Sequence, residues 1–304
     1  MSERYYRYLD AEGAIASLEN GTLRFSKPTK FNDPFDVNLQ LLIPERLDAF
    51  LEDVKSSYHE FIRNIDASKI GHPYKRAYID MLQIRLSSSS DDKEKKIAKE
   101  WEQWEPIALA HLWDVSSLEE IIDKMRVMLQ EFFQGIGVVC LSSCHENLLL
   151  WSHYAKGHTG AALEFTPSPT TSGEPIFESV MEINYSSTRP LIHETVAVFM
   201  SSFYTPDPSK LRREFIKRFI FTKSLAWKYE KEYRIAIPRE FTEGSDTFDF
   251  NFHTPDLTAV YLGCKMAEDD KDNVTKNAIG LNSNVKIFQM TESTSKYELL
   301  SNKI

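Results

Sequence analysis

Y-Y-R-Y-L at residues 5–9, A-E-G-A-I-A-S-L-E at residues 11–19 and T-L-R-F at residues 22–25 open the chain as a strand, a helix and a second strand. The apolar residues of the middle stretch recur at helical spacing. Asn20-Gly21 follows them as a helix stop, because glycine readily adopts the left-handed conformation that ends many helices. We therefore expect the fold to begin with a strand–helix–strand unit.

The rest of the chain carries further strand and helix patterns. Strands are predicted at residues 137–142, 160–165, 181–185, 233–237, 258–262 and 285–290, and helices at 147–155, 190–203, 208–221 and 267–277. Residues from about 44 to 135 instead show helix-period apolar residues among many charges, which predicts a helical insertion. We expect one domain over residues 1–304, of the α+β class, in which a mixed, split sheet carries this large insertion.

Composition limits the classes of function. The 304 residues are 42% hydrophobic and 12% aromatic, which is typical of a globular chain with a substantial core. The formal net charge of -9 disfavours an extended nucleic-acid surface, although a local basic groove stays open as an alternative. Three cysteines do not form a disulfide framework, and neither an export signal nor a membrane-length apolar stretch is visible. The sequence therefore predicts a cytoplasmic protein that does not enter membranes.

The segment W-K-Y-E-K-E-Y-R-I at residues 227–235 carries the most chemical information. Interpreted as a strand, it places Glu230 and Glu232 on one face and its aromatic residues on the other, buried face. Two carboxylates so close together raise each other's pKa. The pair therefore indicates either a reactive site or an exposed face neutralised by Lys228, Lys231 or Arg234, and the residues alone support both interpretations equally.

A second cluster lies in W-S-H-Y-A-K-G-H at residues 151–158. Trp151 and Tyr154 share one face of the predicted helix, with His153 beside them, and such a mixture of rings and polar groups suits a ring-bearing ligand. The alternative, which the residues alone favour, is a pair of core aromatics with satisfied polar tips. His153 and His158 lack the spacing of metal ligands, so no metal is expected.

A third cluster is N-terminal. Arg7 lies between two tyrosines, one of them Tyr8, and its guanidinium can bind a phosphate or carboxylate with two hydrogen bonds, or simply pack its stem on the surface. Ser26, Asn32 and Asp33 follow the second strand. In F-N-D-P-F-D, Asn32 and Asp33 fit a structural turn and a ligand contact equally well.

Several motifs, taken in order, resemble the bacterial domain of unknown function 2971 family over most of the chain. They are Y-R-Y-L, L-E-N-G-T-L-R-F-S-K-P-T-K-F-N-D-P-F-D, L-L-W-S-H-Y-A-K-G-H-T-G-A-A-L-E-F, W-K-Y-E-K-E-Y-R-I and A-V-Y-L-G-C-K-M. That family is defined by sequence and not by an activity.

A more distant resemblance is to ADP-ribosyltransferases, particularly the toxin-like branch that modifies nucleic acid. Those enzymes open with a strand bearing His or Arg, continue with a helix and a second strand, and end their site with a catalytic Glu, often as Glu-x-Glu. Arg7 and Glu230-Lys231-Glu232 match these positions, whereas the S-T-S triplet of the middle element is absent. Ser26 or Tyr154 would take that middle position.

The resemblance implies NAD as substrate and a role for each matched residue. Glu232 would stabilise the oxocarbenium-like state that forms when the bond between nicotinamide and ribose breaks. Glu230 would remove a proton from the acceptor, since its partner's charge raises its pKa. Arg7 would hold the phosphates, and Tyr154 or Trp151 would stack on nicotinamide. Further NAD contacts are expected from Tyr8, Ser26, Asn32, Asp33 and His153.

The expected function is therefore an NAD-dependent ADP-ribosyltransferase-like enzyme of the glycosyltransferase class. It would act as a bacterial toxin or antiphage effector on a nucleic acid or protein, with a regulatory or antitoxin partner. Two alternatives stay open: an effector that hydrolyses NAD, and a non-catalytic module that senses a nucleotide or holds a partner. A third is a metal-dependent nuclease built from Asp33, Asp36, His153, His158 and Glu232.

Overall fold

The computed structural model describes two compact units of the chain. The residues it describes are 3–38, 131–168, 176–190, 216–239, 241–242 and 244–304, with 63, 65–69, 76, 79, 83, 127, 130 and 213. The first unit comprises residues 1–32, 134–187 and 223–304, and the second comprises 33–133 and 188–222. Most of the predicted insertion at 44–135, and most of the predicted helices at 190–203 and 208–221, lie outside the described residues. The insertion and the expectation of one domain stay predictions.

The first unit has a mixed α+β structure, which confirms the predicted class. Its strands are β1 (Tyr5–Leu9), β2 (Thr22–Ser26), β3 (Ile136–Ser142), β4 (Ala161–Phe165), β5 (Met181–Glu182), β6 (Asn184–Ser186), β7 (Thr222–Ser224, whose first residue ends the second unit), β8 (Glu232–Pro238), β9 (Thr247–Asn251), β10 (Leu257–Leu262), β11 (Lys286–Glu292) and β12 (Leu299–Lys303). Its helices are α1 (Ala11–Asn20), α2 (Leu148–His153) and α3 (Glu268–Leu281).

The predicted strand–helix–strand opening is confirmed as β1, α1 and β2. Asp10 caps α1, because its side chain accepts a hydrogen bond from the backbone N–H of Gly13. Gly21 ends the helix at φ 63°, in the left-handed conformation expected of Asn20-Gly21. The predicted helix at 147–155 is shorter in the structure, since positive φ angles at Lys156 and His158 follow α2 and end it.

The main sheet runs in the order β12-β11-β10-β4-β1-β3-β2-β9, with β8 and β5 joined to it through β3. The pairings are antiparallel except for β10 and β11, which are parallel and joined through α3. A mixed but mostly antiparallel sheet results. A small second sheet pairs β6 with β7.

The sheet divides at β3. All of β3 pairs with β8, from Ile136 opposite Pro238 to Ser142 opposite Glu232. Because a strand has two edges, β1 and β2 meet the remaining edge of β3. β1 meets it at Ser142 and β2 meets it at Val138. The backbone of β3 between these two positions therefore needs another partner on that edge.

Two apolar cores lie against the sheet. The larger contains residues of α1, α3 and the sheet, including Ala14, Leu18, Leu163, Val260, Val274 and Ala278. The smaller contains Tyr6, Tyr8, Leu150, Trp151 and Met290, and it packs α2 against the sheet. α1 and α3 therefore bury their apolar faces together, while α2 belongs to the other core.

The described part of the second unit has its own buried apolar residues, namely Ile65, Ile79, Phe133, Phe219, Ile220 and Phe221. Phe133 and Phe219 pack edge to face with ring centroids 6.3 Å apart. Residues 216–220 are helical. In the described parts of both units, none of the helices has the length and apolar character needed to cross a membrane.

We predict that Gly160→Ala destabilises the chain. A Cβ at Gly160 would lie 2.0 Å from the carbonyl oxygen of Leu9, so the pairing of β1 with β4 would have to shift. The expected loss in the free energy of unfolding is roughly 1–3 kcal/mol or more. Urea denaturation measures it.

Gly280→Ala is the matched control. A Cβ at Gly280, inside α3, meets no atom within 4 Å, so alanine should stabilise the chain by up to about 1 kcal/mol through helix propensity. Equal effects of the two substitutions would contradict the packing argument.

Candidate functional site

The predicted strand at 227–235 is correct only in its second half. Leu225–Glu230 forms a 3-10 helix, Lys231 has φ 46°, and β8 begins at Glu232. Ser224 begins the short helix by accepting a hydrogen bond from the N–H of Ala226. Local capping and a left-handed residue therefore override the alternation that suggested a strand.

The two carboxylates nevertheless lie close together, because both bind one cation that the sequence patterns did not indicate. The Nζ atom of Lys223 lies 2.6 Å from Glu230 Oε2 and 2.7 Å from Glu232 Oε2. Arg234 donates from Nε to Glu232 Oε1 at 2.7 Å. We call Lys223, Glu230, Glu232 and Arg234 the carboxylate cluster.

The carboxylate cluster is buried, whereas the aromatic residues beside it are not. Lys223 is 6% exposed, and Glu230 and Glu232 are each 3% exposed. Trp227 and Tyr229, expected to face the core, are half-buried. The pair is thus neutralised, as one interpretation held, but in the interior, where removing one partner leaves an uncompensated charge.

The two carboxylates have opposite pKa shifts. Burial acts to raise the pKa of Glu232, but Arg234 and Lys223 outweigh it and lower the pKa to about 2. Burial raises the pKa of Glu230, with Lys223 opposing it and the charge of Glu232 adding to it. The expected direction for Glu230 is confirmed, although burial contributes more than the partner carboxylate. The pKa of Lys223 is raised because both carboxylates outweigh its burial.

Tyr154 contacts the cluster. Its hydroxyl donates to Glu230 Oε1 at 2.8 Å. Burial and the charge of Glu230 raise the pKa of Tyr154, and the exposed side chain of Asn32 opposes that rise. Tyr154 is half-buried, so its hydrogen bond to Glu230 leads from the interior toward the surface.

Three more side chains hold the cluster in place. Ser142 donates from Oγ to the carbonyl oxygen of Glu230 at 2.7 Å. The backbone N–H of Glu232 donates to the hydroxyl oxygen of Tyr185 at 2.7 Å. The guanidinium of Arg234 lies 4.8 Å from the ring centroid of Phe31, within the range of cation–π attraction.

Arg7 occupies the unpaired stretch of the β3 edge. Its NH1 donates to the carbonyl oxygen of Cys140 at 2.8 Å, between the positions where β1 and β2 meet β3. Burial lowers the pKa of Arg7, while Cys140, Tyr154 and Glu232 act to raise it. Arg7 therefore belongs to the electrostatic surroundings of the cluster.

Two predicted NAD contacts are core residues in the structure. Trp151 is 0% exposed, its indole N–H donates to the carbonyl oxygen of His145 at 2.7 Å, and its ring packs edge to face on Tyr8. The hydroxyl of Tyr8 donates to the carbonyl oxygen of Cys144 at 2.8 Å. The alternative of core aromatics with satisfied polar tips therefore describes Trp151.

The remaining predicted contacts are dispersed. Ser26 lies in β2, opposite Val138, and His153 is exposed at the end of α2. Asp33 is the first residue of the second unit, and its Oδ1 accepts from the N–H of Phe35 at 2.9 Å. That contact is the structural turn that F-N-D-P-F-D suggested.

Lys223, Ser142 and Tyr185 were missed by the sequence argument. Each lies more than 5 positions from the Glu-x-Glu motif along the chain, so spacing carries no signal for it. A weak signal existed for Lys223 alone, since two buried carboxylates require a cation. Within the described ranges, no three His, Cys, Asp or Glu side chains are grouped so that they could hold a metal ion.

A separate buried carboxylate, Glu164, offers a comparison. It lies in β4, separated from β3 by β1, and accepts hydrogen bonds from the hydroxyls of Tyr6 at 2.9 Å, Tyr261 at 3.0 Å and Thr258 at 2.8 Å. Besides these neutral donors, Glu164 has only a long ion pair of 3.9 Å with the exposed Arg4 among the described residues, whereas Glu230 and Glu232 share a buried ammonium.

We predict that Lys223→Met costs roughly 3–5 kcal/mol of unfolding free energy, because it leaves two buried carboxylates with one cation fewer. The matched control is Arg24→Met. Arg24 pairs with Asp249 at 3.0 Å, but both side chains are largely exposed, so that loss should stay below about 1 kcal/mol. Similar losses measured by urea denaturation would contradict the buried-pair argument.

We also predict opposite pH dependence for the two carboxylates. The unfolded pKa of Glu is about 4.3. Since the native pKa of Glu232 is about 2, its stabilisation is present above pH ~4.3 and is lost as the pH falls toward 2. The pKa of Glu230 is raised, so its stabilisation is present below pH ~4.3 and is lost as the pH rises through its native pKa.

Glu232→Gln should therefore flatten the acid limb of the stability profile, and Glu230→Gln should remove the loss on the higher-pH side. Chemical denaturation at a series of pH values tests both. The same profile in both variants would contradict the assignment.

Comparison with known proteins gives one match. The model of the family described as "Protein of unknown function (DUF2971)" matches residues 150–235. Neither a curated protein nor a solved structure matches the chain. The matched stretch runs from α2 into β8 and contains Tyr154 and the whole carboxylate cluster. The resemblance expected from the motifs is thereby confirmed over residues 150–235, which are similar to the DUF2971 family.

Proposed function

We propose that the chain is an NAD-dependent ADP-ribosyltransferase-like enzyme whose acid–base residue is Glu230. One observation carries the proposal. Glu230 is a buried carboxylate with a raised pKa, and it accepts a hydrogen bond from the half-buried Tyr154. A carboxylate with a raised pKa, hydrogen-bonded to a half-buried hydroxyl, is suited to proton transfer.

The two carboxylates would divide the reaction between them. Positive charge develops on the ribose as its bond to nicotinamide breaks, and a fixed negative charge stabilises it. Glu232 is suited to that electrostatic role, since Arg234 and Lys223 keep it ionised. Glu230 would accept the proton of the acceptor hydroxyl as the new glycosidic bond forms.

Arg7 supports an anionic substrate. A guanidinium has five N–H donors, and in the described part of the chain the side chain of Arg7 makes one hydrogen bond, to Cys140. Its partner there is a neutral carbonyl and not a carboxylate. The remaining donors suit a phosphate, which is the group that the dinucleotide would present.

The division of the sheet at β3 and the β1–α1–β2 opening support the proposed relation to the ADP-ribosyltransferase fold. The helical insertion at 44–135 belongs to the same proposal. We also propose that the protein acts in the cytoplasm as a toxin or antiphage effector. Its acceptor would be a nucleic acid or a protein, and an antitoxin or regulatory partner would restrain it. An effector that hydrolyses NAD would use water in place of the acceptor.

A non-catalytic module is the second candidate, and one observation favours it. Lys223 already binds both carboxylates, and Arg234 binds Glu232, so the cluster is compensated without any ligand. In such a module Arg7 and Tyr154 would hold a nucleotide or partner, and the carboxylates would keep the site rigid.

Nicotinamide release from labelled NAD by the purified full-length chain, with nucleic acid and protein fractions as acceptors, tests the proposal. Glu230→Gln should lower kcat by roughly 10²–10⁴-fold. Arg7→Met should chiefly raise KM, because it removes a phosphate contact. Glu164→Gln, which changes a buried carboxylate outside the site, should leave kcat unchanged.

Calorimetry with NAD separates the candidates. Binding without turnover in any fraction would favour the module, and neither binding nor turnover would contradict both.

A further inference from the structure

The chain passes between its two units at four peptide bonds, which follow Asn32, Phe133, Ser187 and Thr222. Three of these crossings lie beside a side chain that contacts the carboxylate cluster or the tyrosine bound to it. The fourth, after Phe133, leads into β3, whose far end carries Ser142. Three of the four covalent connections between the units therefore lie within two residues of a side chain that contacts the cluster, and the fourth leads to it along β3.

The crossing after Thr222 has the most direct connection. Lys223 is the first residue of the first unit on that route, and its Nζ binds both Glu230 and Glu232. On the other side of the crossing, Phe219, Ile220 and Phe221 are buried in the second unit. A shift of the backbone at 222–223 therefore moves the ammonium relative to the carboxylates.

The crossing after Asn32 is connected to the cluster through Phe31. Phe31, one residue before Asn32, lies with its ring centroid 4.8 Å from the guanidinium of Arg234. Arg234 in turn donates to Glu232. A change at this crossing therefore reaches the cluster through Arg234.

The crossing after Ser187 reaches the backbone of Glu232. Tyr185, two residues before the crossing, accepts the N–H of Glu232 at 2.7 Å. β6, which contains Tyr185, pairs with β7, which contains Lys223. The strands at these two crossings are thus paired with each other, and each contains a residue that contacts Glu232.

We infer that the carboxylate cluster couples the chain crossings between the units to the candidate site, so that a displacement of the backbone at these crossings changes the charge state of Glu230 and Glu232. With Lys223 in place, the two carboxylates share a cation. With Lys223 drawn away, two like charges are left with one buried cation fewer, and one carboxylate takes up a proton. Residues in one hydrogen-bond network are energetically coupled, and such coupling is reciprocal.

This inference does not depend on NAD chemistry, so hydrogen exchange of the full-length chain tests it without an activity. Tyr185→Phe removes the acceptor for the Glu232 N–H, and Glu232→Gln removes the charge that Lys223 and Arg234 bind. Both should speed amide exchange at 216–221 and 33–38, in the second unit, by roughly fivefold, which is the effect of about one lost hydrogen bond. Exchange in β10 and β11 should not change.

Glu164→Gln is the control, since it alters a buried carboxylate that contacts no crossing; it should leave exchange at 216–221 unchanged. Because energetic coupling is reciprocal, a substitution in the second unit provides the converse test. Phe219→Ala, in the second unit, should speed exchange at the amide of Glu232. The inference is overturned if the Tyr185→Phe and Glu232→Gln variants affect residues 223–238 alone, or if they raise exchange equally throughout both units.

Discussion

The ammonium of Lys223 is the interaction on which the candidate site depends. Two carboxylates with almost no exposed surface cannot both stay ionised without a cation of comparable burial, because the interior screens charge poorly. Lys223 supplies that cation to both at once, and Arg234 adds a second cation to Glu232 alone. The unequal sharing explains why two glutamates of one short segment have pKa values shifted in opposite directions.

The backbone that carries the cluster is as important as the charges. β3 gives its whole length to β8 on one edge, so Glu232 and Arg234 are fixed opposite Ser142 and Cys140. The short 3-10 helix and the left-handed Lys231 then return Glu230 to the same place. Tertiary pairing positions one carboxylate and a local turn positions the other.

The sequence predicted local features well and long-range partners poorly. α1 begins after Asp10 and ends at Asn20-Gly21 through contacts with residues a few positions away. Such local patterns can be recognised in the sequence alone. Glu230 and Glu232 were found as a pair, yet the strand assigned to them began too early. Periodicity cannot report a residue such as Lys231, whose φ angle depends on its surroundings.

The partners that decide the chemistry of the site come from elsewhere in the chain. Tyr154, Tyr185 and Ser142 lie in elements that only the folded sheet brings near Glu230 and Glu232. The burial of Trp151 likewise depends on long-range packing. Its type and spacing suit a ligand platform, but sheet packing buries it completely.

Arg7 has a double role that limits how this protein can diversify. Its guanidinium serves as the backbone partner that β3 lacks between β1 and β2, and the same group is the cation that would meet a substrate phosphate. Lysine cannot replace it without loss, since a single ammonium lacks the planar fork that serves a carbonyl and an anion together. A substitution of Arg7 that changed ligand preference would therefore also remove the hydrogen bond to β3. Ligand binding and folding thus constrain the same side chain.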